Sequence, residues 1–275
     1  MKDSYEKVIR PRTGLLHLNL GELWEYRELF WVLAMRTILV RYKQTVVGVL
    51  WAMIQPLLTM VIFTIVFGRL AGFGSTEEHY PLVVFAGVLP WQLFANSLTQ
   101  STDSLVSGSA MISKVYFPRL IMPTSACLVG LIDFCLAFLI LIGLMVFYGV
   151  MPSWQFLLLP GFLLLAICAS LGVGLWLSAL NVRYRDVRHV VPFVVQLGLY
   201  VSPVGFTTTR IPKEWQFLYA MNPMVSVIDG FRWALLERGQ FHVDTFVLSA
   251  VIALFLFISG AFFFRWMERS FADYV

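Results

Sequence analysis

Long uncharged apolar runs, separated by short polar segments, dominate the pattern of this chain. A helix needs about 20 consecutive apolar residues to cross the hydrocarbon of a bilayer. Runs of that length recur along the sequence, and the longest is divided near its middle by the turn-forming segment 148–153. The pattern predicts six transmembrane helices, at about 44–68, 80–102, 120–148, 154–180, 190–209 and 245–264.

One apolar piece is too short to cross. Residues 215–228 are uncharged, but Asn222-Pro223 interrupts them. A short broken apolar segment of this kind is typical of a re-entrant or interfacial hairpin. We therefore predict a helical hairpin at about 213–238, before the last span.

The segment before the first span mixes apolar and charged positions. Its apolar residues recur at helical spacing, at Leu23, Phe30, Ala34, Ile38 and Tyr42. Trp24 and Trp31 flank this stripe, whereas Arg36 lies largely away from it. Residues 22–43 are thus predicted to form an amphipathic helix in the membrane interface. Two interpretations stay open, a passive anchor and a gate or docking helix.

The predicted fold is an all-α integral membrane protein. Residues 1–43 form an amino-terminal segment with the interface helix, residues 44–265 a six-span membrane domain, and residues 266–275 a tail. Most of the 20 Lys and Arg residues fall in the amino-terminal segment, in the second and fourth loops and in the tail. The positive-inside rule predicts that both termini are cytoplasmic. The first apolar run begins after a long charged segment, so we expect it to be retained as an anchor.

The composition excludes several classes of protein. Of the 275 residues 59% are hydrophobic and 13% charged, against about 25% charged in a soluble domain. Soluble enzymes, nucleic-acid binders and secreted disulfide scaffolds do not have this balance. Cys127, Cys135 and Cys168 lie in apolar runs without a CxxC motif, and the four histidines are far apart in sequence, so no metal or redox centre is predicted.

A single carboxylate interrupts the third predicted span near its middle, at Asp133. An isolated charge at that depth costs free energy, and a functional role is the first hypothesis for such a residue. With no Lys or Arg at matching depth in sequence, we expect the carboxyl to be protonated or satisfied by a neighbouring helix. A proton relay is the alternative.

The second cytoplasmic loop, residues 103–119, is longer than a passive connector needs to be. Apolar residues are interleaved along it, and Tyr116-Phe117 precede Pro118 near its end. Such a segment favours a short helix that docks against a cytoplasmic partner. A plain connector is the alternative.

Catalytic and nucleotide-binding motifs are absent from the sequence. It contains neither GxSxG nor HExxH, and no Gly-Lys dipeptide, so no Walker A phosphate loop is present. If ATP drives this protein, another chain must bind it.

The order of the segments resembles the membrane subunit of polysaccharide-exporting ATP-binding-cassette transporters, which move O-antigen, capsule or teichoic acid. The resemblance extends over nearly the whole chain. It is carried by RYKQTVVGVLWAMIQPL (41–58), FAGVLPWQLFANSL (85–98), KVYFPRLIMP (114–123), NVRYRDVRHVVPF (181–193), SPVGF (202–206) and NPMVSVIDGFRWALL (222–236).

The resemblance implies a permease that works as a pair. Two copies of this chain would join two cytoplasmic P-loop ATPase subunits, which would bind the ATP and Mg. The complex would move lipid-linked polysaccharide, with O-antigen as the expected substrate, out across the bacterial inner membrane. A drug or lipid exporter of the same superfamily and a proton-coupled carrier are the alternatives.

The resemblance also implies roles for particular residues. The loop 103–119 would carry the ATPase-coupling helix, with Lys114, Tyr116, Phe117 and Arg119 facing or bracing the contact. The segment 22–43 would be the gate helix, including Trp24, Phe30, Trp31, Arg36 and Arg41. Aromatic side chains would line the channel, and our candidates are Trp51, Phe85, Trp91 and Phe94.

Overall fold

The computed structural model describes residues 20–42, 46–75, 79–112, 114–237, 241–269 and 271. Within these ranges every regular element is a helix, which confirms the predicted all-α class. In chain order the α-helices are α1 (Leu20–Glu25), α2 (Arg27–Tyr42), α3 (Val46–Phe63), α4 (Tyr80–Ser107), α5 (Ser109–Ile112), α6 (Ile121–Tyr148), α7 (Leu159–Arg183), α8 (Val187–Val201), α9 (Lys213–Ala220), α10 (Pro223–Leu236) and α11 (Val243–Glu268). A π-helical stretch, Thr64–Leu70, continues α3.

Five helical stretches in the described part of the chain are long and apolar enough to cross a membrane. They coincide with five of the predicted spans and run over Gly48–Leu70, Tyr80–Ser107, Ile121–Tyr148, Trp154–Arg183 and Val243–Glu268. The protein is therefore built as a multi-pass membrane bundle.

The predicted span at 190–209 is not one continuous helix, and that prediction is wrong in its extent. Helix α8 has 15 residues and ends at Val201, where Ser202 is extended (φ −80°, ψ 152°) before Pro203. A proline disfavours the helical conformation of the residue before it. At 1.5 Å per residue α8 rises about 22 Å, short of the about 30 Å of hydrocarbon. A sixth complete span stays a prediction.

The break at Asn222-Pro223 appears as predicted. It separates α9 from α10, and the Asn222 side chain accepts a hydrogen bond of 3.0 Å from the backbone N–H of Met224. Pro223 occupies the first helical position, where its missing N–H is harmless. The pair of helices is confirmed, whereas its depth in the membrane stays a prediction.

Helix α4 lies at the centre of the bundle and packs against α3, α6, α7 and α10. In its most apolar stretch 72% of the residues are buried inside the chain, against 11% in Gly48–Leu70. The first span therefore leaves much of its apolar surface available to lipid or to another protein chain.

Small residues bring α7 close to its neighbours. Ala166, Ser170, Gly174 and Ser178 recur every four residues along α7 and are buried, and a Cβ on Gly174 would lie 2.9 Å from the Ser101 Cβ of α4. On another side of α7, a Cβ on Gly172 would lie 2.6 Å from the backbone of α11. Small residues on these faces of α7 therefore let it pack closely against both helices.

A buried arginine joins α10 to α4 and to the turn after α8. The Arg232 side chain is 1% exposed and donates to the carbonyl oxygens of Val83 (3.0 Å), Phe206 (2.8 Å) and Val204 (2.6 Å). A guanidinium has five donors, so one side chain satisfies carbonyls that the turn leaves without helical partners. The positive-inside count places Arg232 among the few Lys and Arg residues on the outer side, whereas the structure buries it inside the bundle.

The bundle has two distinct ends. We call the end with α1, α2, the 108–120 connection and the carboxyl terminus of α11 the terminal end. There Leu23 packs against a buried cluster that includes Phe264 and Met267, and Arg119 Nη1 donates to the Glu268 carbonyl (2.8 Å). The opposite end, with α9, α10 and the amino termini of α4 and α11, is the hairpin end. The first and last described residues, Leu20 and Phe271, therefore lie at the same end of the bundle.

The glycine of α7 that faces α11 provides a test of this packing. We expect Gly172→Ala to lower the free energy of unfolding by about 1–3 kcal/mol, because its Cβ would press on backbone atoms that cannot rotate away. Heat stability in detergent, followed by fluorescence-detected size exclusion, measures the effect.

Gly143→Ala is the matched control, since nothing lies within 4 Å of a Cβ there. Equal stability of the two variants would contradict the proposed close contact of α7 and α11.

Candidate functional site

The carboxylate of Asp133 is the centre of a polar cluster that joins α2, α4 and α6. Arg41 Nη2 lies 2.8 Å from Asp133 Oδ2, and the two side chains are 38% and 7% exposed. The Tyr42 hydroxyl donates to Asp133 Oδ1, and Asn96 Nδ2 donates to Oδ2 at 3.2 Å. The buried carboxylate is thus paired and hydrogen-bonded, as a charge away from water must be.

The expectation that no basic residue reaches Asp133 is wrong. Arg41 is distant in sequence, but it stands in the last turn of α2, and a long side chain there extends into the bundle. The structure agrees with the prediction that a neighbouring helix satisfies the carboxyl. The adjacent Arg41-Tyr42 pair, at the boundary of the first apolar run, is the signal that would have identified the partners.

The cluster borders a narrow cavity between α2, α3, α4 and α6, with room for about one water molecule. Gln55, Gln92 and Asn96 contribute amides to its lining, beside Arg41 and Asp133. Leu89, Leu93 and Phe134 form apolar walls. Amides and charges on apolar walls can hold a water molecule or a single hydroxyl group at this point.

The coupling candidates fall into an exposed pair and an engaged pair. Lys114 and Tyr116 are exposed at the terminal end. Phe117 is buried with Leu33 of α2 and Ile121 of α6. Arg119 is held by Glu268 at the end of α11. This short segment therefore exposes two side chains, while Phe117 and Arg119 attach it to α2, α6 and α11.

The preceding part of this loop is more helical than predicted. Helix α4 continues to Ser107, and the four-residue α5 follows. The predicted short helix is present, although α4 takes up the start of the 103–119 segment.

The gate-helix candidates lie on both faces of α2 and the preceding α1. Phe30 is half-buried, and Leu33 and Ala34 are the buried contacts of α2. Trp24, Trp31 and Arg36 are exposed, and Arg41 reaches Asp133. The helix is therefore attached to the bundle along one side, with apolar surface remaining on the other.

The channel candidates separate by burial. Trp51 is exposed on α3, whereas Phe85 is fully enclosed in the core of α4. Trp91 is also buried and packs with the half-buried Phe94, their ring centres 5.4 Å apart. Within this chain Trp51 has the exposed surface that a channel lining needs, and Phe85 has none.

The ion pair between Arg41 and Asp133 should contribute measurably to the free energy of unfolding. We expect Arg41→Gln to lower the free energy of unfolding by roughly 3 kcal/mol, because it leaves a buried carboxylate without its cation. The double variant with Asp133→Asn should recover part of the loss, since no charge is then stranded. Denaturant titration in detergent, followed by tryptophan fluorescence, measures both.

Arg36→Gln, on an exposed turn of the same helix, should leave stability within about 0.5 kcal/mol of the parent. Strict additivity of the Arg41 and Asp133 substitutions would rule out an energetic coupling between them.

Comparison with known proteins gives a family for this arrangement. The O-antigen export system permease protein RfbA of Myxococcus xanthus is 27% identical over 92% of this chain and 97% of its own length. The protein of that name from Klebsiella pneumoniae is 28% identical over 93% of this chain and 96% of its own length. The polysialic acid transport protein KpsM of Escherichia coli is 22% identical over 86% of this chain and 93% of its own length.

The family described as ABC-2 type transporter matches residues 28–236. The match begins in α2 and ends with α10, so it contains the Asp133 cluster, the exposed pair Lys114 and Tyr116, and the buried Arg232. With a match over most of its length, this chain belongs to the ABC-2 type transporter family.

Proposed function

We propose that this chain is the membrane subunit of an ATP-driven exporter of lipid-linked polysaccharide, with O-antigen as the substrate class. Two copies would form the complex with two cytoplasmic ATPase subunits, which supply ATP binding and hydrolysis. The observation that carries the proposal is the similarity, over more than nine tenths of the chain, to permeases named for O-antigen export.

The surface at the terminal end supports a cytoplasmic partner. Lys114 and Tyr116 project from it, while Phe117 and Arg119 connect the same segment to α2 and α11. Movement of a docked ATPase would therefore be passed to α2 and to the spans rather than absorbed by a loose loop. Packed helices transmit such shifts because they rearrange as rigid bodies.

The exposed face of α3 supports a second copy of the chain. Trp51, Ile54, Leu58 and Val61 are exposed along it, and the span buries little of itself within one subunit. A polymer rich in hydroxyl groups loses several hydrogen bonds to water if it crosses lipid directly. A path between two subunits, beside Trp51 and the amide-lined cavity, avoids that cost.

The paired state of Asp133 disfavours a proton-coupled carrier. Such a carrier needs a carboxyl that exchanges its proton during transport, whereas Asp133 is held by Arg41, Tyr42 and Asn96. A drug or lipid exporter of the same superfamily would share the fold. The names of the relatives favour polysaccharide over these substrates.

We assign the terminal end to the cytoplasm and the hairpin end to the outer side of the inner membrane. The basic residues before α3 and in the loops after α4 and α7 support this orientation through the positive-inside rule. The α9–α10 hairpin would then dip into the membrane from outside.

Export and coupling are tested together in a strain that lacks this gene and has its native ATPase. We expect the wild-type chain to restore surface polysaccharide and to co-purify with the ATPase. Tyr116→Ala should reduce export and complex recovery at least tenfold, because an exposed aromatic at a docking surface often carries more than 1.4 kcal/mol of the contact. Immunoblots of surface polymer and of the purified complex provide the readouts.

Trp154→Ala is the matched control, an exposed aromatic before α7 at the opposite side of the bundle. Polymer at the surface of cells without this chain would contradict its role in export. Wild-type export and complex recovery in the Tyr116→Ala variant would contradict coupling through Tyr116.

Orientation is tested by cysteine labelling in intact cells. In a background where Cys127, Cys135 and Cys168 are replaced by Ala, Trp154→Cys should react with an impermeant maleimide added outside. Tyr116→Cys should react after the inner membrane is permeabilised. The reverse pattern would invert the assigned orientation.

A further inference from the structure

A second cavity lies at the hairpin end, far from the Asp133 cluster. It is a cleft, open to solvent on one side, between the turn after α8, helices α9 and α10, and the start of α11. Ligand sites place a few polar groups on apolar walls. The polar lining includes Thr208, Gln216, Ser226, Asp229 and His242.

The carboxylate of Asp229 has unused capacity to accept hydrogen bonds. Thr208 Oγ1 donates to its Oδ2 at 2.5 Å, and Arg232 Nη1 lies 3.8 Å from its Oδ1. Arg232 directs its nitrogen donors to the carbonyls of α4 and of the turn after α8. Among the described residues Oδ1 accepts no hydrogen bond, although the side chain is 14% exposed. A ligand hydroxyl would fill this position.

The charge balance favours a neutral ligand over a cation. The guanidinium of Arg232 stands behind Asp229 and offsets its negative charge. The described residues contain no group of three or more His, Cys, Asp or Glu side chains that would hold a metal. The cavity therefore offers hydrogen bonding without a strong net charge.

The walls suit a ring that carries hydroxyl groups. Tyr219 and Phe241 line the cavity beside the polar groups, and the Tyr219 hydroxyl is fixed by donating to the Val201 carbonyl. A pyranose has hydroxyls at its rim that donate to a carboxylate, and C–H faces that pack on aromatic rings. Hydrogen bonds to a charged acceptor are roughly twice as strong as neutral ones.

We propose that this cavity is a binding site for one sugar residue of the exported polymer at the outer end of the permease, with Asp229 as its main acceptor. The assignment rests on the proposed function, which identifies the polymer and places the hairpin end outside. It adds a contact in which the permease itself recognises sugar chemistry.

The test uses the purified complex of this chain with its ATPase in lipid nanodiscs. The probe is the mixture of repeat-unit oligosaccharides released by mild acid from the surface polysaccharide of the same strain. Saturation-transfer NMR and titration measure binding. We expect binding in the wild type, about tenfold or greater weakening in Asp229→Asn, and loss of binding in Thr209→Trp, which fills the cavity from its exposed rim.

Asp186→Asn is the matched control, because it removes an exposed carboxylate before α8, at the terminal end, and should bind like the wild type. Thr209→Trp keeps the inference testable if Asp229→Asn folds poorly, since position 209 is at the surface. Absence of oligosaccharide binding in the wild type, or undiminished binding in Thr209→Trp, would overturn the site.

Export measured in the same strains separates the two proposals. A wild-type chain that restores no surface polymer overturns the proposed function. Normal export together with no oligosaccharide binding overturns the sugar site alone.

Discussion

Polar groups removed from water must find partners inside the chain, and this constraint shapes the bundle in two places. Near the middle of α6, Asp133 is held by Arg41, Tyr42 and Asn96. At the hairpin end Arg232 satisfies three backbone carbonyls. In hydrocarbon no water replaces a missing partner, so each cluster fixes which helices meet. The ion pair attaches α2 to α6, and the arginine attaches α10 to α4.

These attachments connect the surface to the core by short routes. The exposed side chain of Tyr116 is followed directly by Phe117, which is buried between α2 and α6. From α2 the route continues through Arg41 to Asp133, next to a cavity lined with amides. A displacement at the surface would thus reach the polar cavity through side chains in contact. Such a route would suit the proposed subunit, which a separate cytoplasmic ATPase would drive.

The unequal burial of the spans indicates how the subunit is used. Helix α4 is enclosed by its own chain, whereas α3 keeps most of its apolar surface exposed. Exposed aromatic and aliphatic residues on a membrane helix meet lipid or a partner without cost. The family membership and the exposed face of α3 support a pair of subunits around a shared path. The sugar site proposed at the hairpin end would lie along the exit from that path.

The helical class, five spans with boundaries close to those observed, the helix break at Asn222-Pro223 and the membrane family followed from the sequence alone. Apolar run length, proline position and segment order are local properties, so they can be read from one chain. The pairing of Arg41 with Asp133, the burial of Arg232 and Phe85, and the early end of α8 were decided by the tertiary structure. Each depends on which helices face one another. The distance between side chains far apart in sequence, and the loss of water around them, arise when the bundle packs.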